Sequence, residues 1–86
     1  MSTPTLDYPC AFPLKVMGRD CAEFRTAART IVERHAGPLP DSGVSARASR
    51  EGNFIALTFA ITAESRDQLD AIYRELSSCP DILLAL

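Results

Sequence analysis

The sequence predicts an α+β fold, with one four-stranded antiparallel sheet and two helices on one of its faces. Two segments repeat apolar residues at helical spacing, four segments have the composition of strands, and together they follow the order β-α-β-β-α-β. The chain has 86 residues, which suffices for one two-layer core. We therefore expect a single domain over residues 8–86, preceded by a flexible tail at residues 1–7.

The first strand is predicted at residues 11–17, where apolar side chains alternate with others. One face of this strand carries Phe12, Leu14 and Val16, and the other carries Pro13, Lys15 and Met17. Gly18 is expected to end the strand. The strand therefore contributes one apolar face to a core.

The first helix is predicted to begin just after Asp20, which has the character of an N-cap. Glu23 lies three residues later and would complete a capping box, in which each side chain bonds a free backbone amide. The residues at helical spacing are Phe24, Ala27, Ala28, Ile31, Val32 and His35, with His35 at the inner edge of the last turn. Gly37-Pro38 ends the helix, because glycine suits the C-terminal cap and proline lacks a donor for another turn.

A β-hairpin is predicted from residues 44–50 and 54–63, with Glu51-Gly52 as its turn. A two-residue turn sets the register, so that apolar pairs lie opposite one another on the buried face. These pairs are Val44 with Phe59, Ala46 with Leu57, and Ala48 with Ile55. The other face pairs Ser45 with Thr58, Arg47 with Ala56, and Ser49 with Phe54, while Arg50 faces Asn53 at the turn.

A second helix begins at the capping box formed by Ser65 and Gln68. Its apolar stripe consists of Leu69, Ile72, Tyr73 and Leu76. Ion pairs at i,i+4 spacing, Arg66–Asp70 and Asp70–Arg74, are expected on its solvated side. Ser77 to Pro80 ends the helix, and residues 82–86 form a short last strand.

This order of elements is that of a ferredoxin-like βαββαβ sandwich. Right-handed crossovers give the strand order 4-1-3-2, which makes the first strand central. Proline is disfavoured in a central strand because it cannot donate to a ladder. Pro13 therefore requires a bulge, or a last strand too short to reach it.

Composition narrows the classes of function. A net charge of −2, with 47% hydrophobic and 23% charged residues, is typical of a globular domain without overall attraction to nucleic acid or anionic membranes. No apolar run approaches the roughly 20 residues of a membrane helix. The N-terminal residues lack the basic-then-apolar pattern of a secretion signal, so we expect a cytoplasmic location, no membrane and no nucleic acid.

The residues that could support catalysis or bind a metal are few. The chain has three cysteines, Cys10, Cys21 and Cys79, without a CxxC pair, and His35 is its only histidine. Cys21 lies at the start of the first helix and His35 near its end, about 20 Å apart at 1.5 Å per residue, which excludes a Cys–His pair. We expect no enzyme, no metal and no cofactor.

The open sheet face is the predicted binding surface, because it is smoother and less charged than a face that meets only water. Its candidate partner-binding residues are Lys15, Met17, Arg47, Phe54, Ala56 and Thr58. Phe54 is the only aromatic residue among them, whereas a sheet that binds single-stranded RNA presents several. We therefore expect an accessory or regulatory module that binds a partner protein or forms a homodimer.

Three motifs resemble the YbeD-like family of small bacterial proteins: Tyr8-Pro-Cys-x-Phe-Pro-x-Lys-x-Met-Gly18, Ser49-x-x-Gly-x-Phe54, and Gln68-Leu-Asp-x-Ile-Tyr-x-x-Leu76. The resemblance implies a ferredoxin-like fold similar to regulatory ACT domains, and no known activity. ACT domains bind small molecules near the loop after the first strand. An alternative function is therefore a metabolite sensor, with candidate ligand-binding residues Gly18, Arg19, Asp20 and Cys21. This loop lacks the Pro-Gly pair that is usual in ACT domains. A small enzyme is the third interpretation.

Overall fold

The computed structural model describes residues 7–49 and 51–85. The elements are β1 (Cys10–Arg19), α1 (Ala22–Ala36), a 3-10 turn (Asp41–Gly43), β2 (Val44–Ala48), β3 (Phe54–Ala63), α2 (Arg66–Ser78) and β4 (Ile82–Ala85). The strands form one antiparallel sheet in the order β2-β3-β1-β4, and the helices pack on one face of it. The predicted α+β ferredoxin-like fold is confirmed. Most of the predicted tail (residues 1–6), the Arg50–Asn53 pair and Leu86 lie outside the described residues.

The strand β1 is longer than predicted, because Gly18 lies within it and does not end it. Gly18 is required by a close approach. A Cβ at this position would overlap the ring of Phe24 and lie 2.7 Å from the backbone oxygen of Asp81. The missing side chain thus lets α1 and the start of β4 pack directly against the strand.

Pro13 is accommodated because β4 does not reach it. Within the described residues, β4 ends at Ala85, opposite Val16. The amide of Asp20 donates to the backbone oxygen of Asn53 on the β3 side. In an antiparallel ladder every second residue bonds the same neighbour, so the even-numbered residues of β1 direct their amides to β3 and the odd-numbered ones away from it. The nitrogen of Pro13 therefore points away from β3. The missing N–H therefore breaks no hydrogen bond with β3, as the second of the two explanations requires.

The predicted hairpin register is confirmed. The five ladder pairs from Val44–Phe59 to Ala48–Ile55 are those expected, and the amide of Ser49 donates to the backbone oxygen of Phe54 at 2.8 Å. The turn is closed by the Gly52 amide, which donates to the Ser49 oxygen at 3.0 Å. Gly52 has φ +76°, a conformation that favours glycine.

The predicted N-cap of α1 is wrong. The cap is Cys21, which makes no side-chain capping bond, while the Asp20 carboxylate pairs with Arg25 at 2.6 Å. The reason is that Asp20 still belongs to β1's ladder through its bond to Asn53, so the helix starts one residue later. The C-terminus is as predicted, since Gly37 has φ +86° and its amide donates to Glu33.

The N-terminus of α2 is partly as predicted. The Ser65 hydroxyl accepts from the Gln68 amide at 3.1 Å. Gln68 does not complete the box at Ser65; its side-chain oxygen accepts from the amide of Glu64, and its nitrogen donates to the backbone oxygen of His35. The residue therefore ties α2 to the end of α1. Of the predicted ion pairs, Arg66–Asp70 forms at 3.9 Å, and Asp70–Arg74 is absent from the described ion pairs.

The core lies between the helices and the central strands β1 and β3. Its fully buried side chains of largest volume are Phe24, Phe59, Leu14, Ile72, Leu76, Val16 and Val32. The expected burial of Ala46 and Ala48 is wrong, since both are exposed although their partners Leu57 and Ile55 are buried. The helices cover β1, β3 and β4, so the inner side of the edge strand β2 lies beyond the helical layer.

Candidate partner-binding surface on the open sheet face

The open sheet face is the side of the sheet opposite the helices. Because even-numbered residues of β1 point into the core, the odd-numbered ones occupy the open face. The register aligns the six candidate residues in adjacent rows: Met17 lies opposite Ala56, which lies opposite Arg47, and Lys15 lies opposite Thr58. Phe54 lies two residues from Ala56 on the same face. The structure therefore brings all six residues together on one surface.

An apolar cluster occupies one end of this face and consists of Met17, Phe54, Ala56 and Leu84. Leu84 of β4 lies directly opposite Met17, so the cluster crosses three strands. The larger members retain much of their surface, with 38% of Met17, 43% of Phe54 and 47% of Leu84 exposed to solvent. A shallow depression of about 210 Å³ borders Met17, Phe54 and Arg47. An exposed group of large apolar side chains of this kind is typical of an interaction site.

Leu84 is the member of the cluster that sequence reasoning missed. The register with β1 shifts between Met17 and Gly18, since Gly18 lies opposite Ile82, which makes Leu83 the extra residue of a bulge. Leu83 itself is 58% exposed. The run of apolar residues in β4 carries no signal for this shift, because each of its leucines suits either face.

Three cations flank the apolar cluster: Lys15, Arg19 and Arg47. All three are exposed, and none of them forms an ion pair with another described residue. Of the residues within the bounds of the four strands, none is an Asp or a Glu. The strand positions of the open face therefore carry three cations and no carboxylate, although the chain as a whole has a net charge of −2 and Asp81, just before β4, borders the same depression as Arg19.

The helical side arranges its charges differently. Glu75 of α2 bonds both Arg34 and His35 of α1, the latter at 2.8 Å. The hydrogen bond from His35 lowers the pKa of Glu75, partial desolvation opposes this effect, and the charge of Arg34 lowers the pKa further. His35 thus joins two helices, and sequence reasoning, which placed it in the last turn of α1, did not find Glu75 as its partner.

Side chains of α1 also anchor the loop that follows this helix. The Arg29 guanidinium donates to the backbone oxygen of Leu39 at 2.7 Å and to Asp41 at 3.0 Å. Glu33 accepts from the amide of Leu39 at 2.7 Å. These bonds hold the loop to α1, and the charges of Arg29 and Glu33 are both engaged in hydrogen bonds to it.

The alternative site, Gly18 to Cys21, is small for a metabolite-binding site. Gly18 is buried and its surroundings are filled by Phe24 and Asp81, while Asp20 is engaged by Arg25. A depression of about 260 Å³ borders Arg19, Cys21, Pro80, Asp81 and Leu83. Its volume is below the roughly 300–1,000 Å³ of typical small-molecule sites.

The remaining chemistry of the described residues is sparse. Among them, no three His, Cys, Asp or Glu side chains are grouped as metal ligands.

The three cysteines are free and half-buried, and Cys21 and Cys79 pack against the core. Burial raises the pKa of the Tyr73 hydroxyl. In the described ranges, no helix is both long and apolar enough to span a membrane.

Comparison with known proteins shows the family. The chain belongs to the family described as "Protein of unknown function (DUF493)", whose profile matches residues 3–86. It is 44% identical over 81 residues to a UPF0250 protein of Leptothrix cholodnii, covering 94% of this chain and 89% of the relative. A UPF0250 protein of Nitrosomonas europaea is 37% identical, covering 94% and 93%. The resemblance to small bacterial proteins of the YbeD-like family is confirmed, and neither the family description nor these names states an activity.

A solved structure supports the fold. Protein HP0495 from H. pylori, determined in solution, aligns with a TM-score of 0.73 over 98% of this chain and 88% of its own. The two sequences are 16% identical, so the likeness concerns the fold alone.

Proposed function

We propose that this protein is a small non-catalytic accessory or regulatory module of the cytoplasm, which binds another protein through its open sheet face. The observation that carries the proposal is the apolar cluster of Met17, Phe54, Ala56 and Leu84, flanked by cations without described ion partners. Removal of large apolar side chains from water by a partner lowers the free energy of the complex. Long cationic side chains beside them are typical of the polar rim of a protein interface.

A partner of different sequence is favoured over a second copy. A homodimer formed through this face would bring the cations Lys15, Arg19 and Arg47 of one subunit towards those of the other. Like charges placed together at an interface oppose association, and no acidic residue within the strands would offset them.

The test is native mass spectrometry of the untagged protein, purified gently from its own host, followed by charge reversal. We expect a bound protein of defined stoichiometry. The variant Lys15→Glu/Arg47→Glu should lose it, while Arg66→Glu/Arg74→Glu, with the same change of net charge on α2, should retain it. A complex that survives Lys15→Glu/Arg47→Glu unchanged would show that the open face is not the binding surface.

A second candidate is an ACT-like metabolite sensor at Gly18, Arg19, Asp20 and Cys21. The depression beside Arg19 and Cys21 is the observation that favours it. A specific metabolite would then raise the melting temperature, by an amount that grows with the logarithm of its concentration once that concentration exceeds Kd. Lys15→Glu/Arg47→Glu should leave that shift unchanged, whereas it should abolish partner binding through the open face. The small depression and the filled surroundings of Gly18 favour the first proposal over this one.

A further inference from the structure

We infer that the partner presents an acidic segment, with carboxylates on either side of an apolar side chain, to the open sheet face. This inference rests on the proposed function and adds the chemistry of the partner. It follows from where the three cations of the strands lie relative to the apolar cluster.

The spacing of the cations is set by the sheet. Lys15 and Arg19 lie on the same strand, four residues apart, with Met17 between them. At a rise of about 3.3 Å per residue, their Cα atoms are about 13 Å apart. Arg47 lies two strands away in the row of Met17 and Ala56, about 10 Å across the sheet. The cations therefore form a triangle with Met17 midway along its Lys15–Arg19 side, and Phe54 lies opposite Arg19.

The Lys15–Arg19 side of this triangle matches an extended segment that runs along β1, and Arg47 would lie beside that segment. Two carboxylates four residues apart in such a segment would span the same distance of about 13 Å. An apolar side chain midway between them would face Met17, where Phe54 and Leu84 also lie exposed. Its burial would exclude water from the neighbouring ion pairs, which strengthens them relative to exposed pairs.

Charge complementarity favours an acidic protein segment over a neutral segment, a basic segment or single-stranded RNA. The strands contribute three cations and no carboxylate, so a neutral or basic segment would leave those cations uncompensated at the contact. A single strand of RNA could pair with the same cations. However, it is bound on sheets by stacking its bases on several aromatic rings, and the strand positions of the open face supply only Phe54.

The experiment is a selection from an unbiased peptide-display library against the full chain and, in parallel, against Lys15→Glu/Arg47→Glu. We expect the full chain to select peptides with Asp or Glu flanking a large apolar residue. Their binding should weaken at least about 10-fold in Lys15→Glu/Arg47→Glu and also at about 0.5 M salt, because charge pairs near a surface are screened. The charge-reversed chain should instead select basic peptides. Arg66→Glu/Arg74→Glu is the matched control and should bind like the unmodified chain.

The site is located by titrating the strongest selected peptide into the ¹⁵N-labelled full chain. Amide shifts at Lys15, Met17, Ala56 and Leu84 would support the inference. The inference of an acidic partner would be wrong if neutral or basic peptides shift the same amides. It would also be wrong if acidic peptides bind there but are insensitive to both charge reversal and salt. Either result would leave the proposed function standing. Selected peptides that shift only amides of the helices, or a selection that yields no binder, would overturn both.

Two further outcomes would also contradict the inference. A twelve-nucleotide oligouridylate that binds the open face and is lost in Lys15→Glu/Arg47→Glu would assign the cations to phosphate. Sedimentation that shows a dimer of the full chain, with the open-face amides protected from exchange, would assign the surface to a second copy. Either result replaces the acidic partner by a different occupant.

Discussion

The two faces of the sheet differ in the exposure of their aromatic rings and in the ion pairing of their cations. Phe59 and Phe54 lie on one strand, but Phe59 is fully buried beneath the helices whereas Phe54 is 43% exposed on the open face. On the helical side, Arg25, Arg29 and Arg34 each pair with a carboxylate. On the open side, Lys15 and Arg47 form no ion pair with described residues. Three cations of the helical side are thus paired within the chain, whereas the open face exposes large apolar side chains beside cations without described ion partners.

This difference separates stability from binding. Side chains that pack against the helices contribute to folding through burial, and those on the open face contribute little to it. Substitutions on the two faces should therefore have separable effects, which makes each face a control for the other.

The largest contrast should come from Phe59→Ala and Phe54→Ala. Phe59→Ala should lower the free energy of unfolding by about 3–5 kcal/mol, because it leaves a cavity in the core. Phe54→Ala should change it by less than about 1 kcal/mol, because the ring is partly in water. Urea unfolding measures both. If Phe59→Ala does not fold, Phe59→Leu serves in its place. Equal losses for the two alanine variants would contradict the division between the faces.

Gly18→Ala probes the closest approach on the helical face. The added methyl group would overlap Phe24 and meet the backbone of Asp81, so we expect a loss of about 1–3 kcal/mol by thermal unfolding. Gly43→Ala is the matched control, because a Cβ there would lie 3.6 Å from Pro40, an ordinary contact. A Gly18→Ala variant as stable as Gly43→Ala would show that β1, α1 and β4 pack less closely than described.

Glu75→Gln should reduce stability at neutral pH and make little difference in acid. The folded-state pKa of Glu75 lies below its ordinary value of 4.5, chiefly through the hydrogen bond from His35. Its contribution is therefore present above pH 4.5 and is lost as the pH falls through the folded-state pKa. Unfolding measured from about pH 7 to about pH 3 should show the two proteins converging in acid. Asp70→Asn, in an exposed pair at 3.9 Å, should show little change at either end.

The smallest effect on folding should come from Lys15→Glu/Arg47→Glu. Both side chains are exposed without described ion partners, so the free energy of unfolding should stay within about 0.5 kcal/mol per site. Unchanged stability together with lost binding would show that these cations act in binding and not in folding. A loss above about 2 kcal/mol would show instead that these cations contribute to the fold.

Most of the architecture could be predicted from the sequence, because it depends on local periodicity. The alternation in residues 44–48 and 54–63, with Gly52 between them, determined the hairpin register. The helical stripe ending at Gly37 determined the end of α1, and Ser65 determined the start of α2. Side-chain period and capping chemistry act over a few residues, so they are visible in the chain itself.

Features that depend on distant residues could not be predicted. Asp20 resembles an N-cap, but a backbone bond to Asn53 keeps it in the ladder. Ala46 and Ala48 have the pattern of a buried face, but the helical layer does not extend over β2. Each departure arises because a neighbour far along the chain decides burial or pairing, which a local pattern does not encode.

The candidate surface shows the same division. Strand alternation and hairpin register are local properties, so the sequence alone predicts which residues share the open face: Lys15, Met17, Arg47, Phe54, Ala56 and Thr58. Leu84 joins the apolar cluster through a bulge in the pairing of β1 with β4, which is visible only in the folded chain. Likewise, only the folded chain placed the carboxylate partners of Arg25, Arg29 and Arg34 on the helical side. Local steric rules set which face a residue occupies, and long-range packing decides what lies beside it.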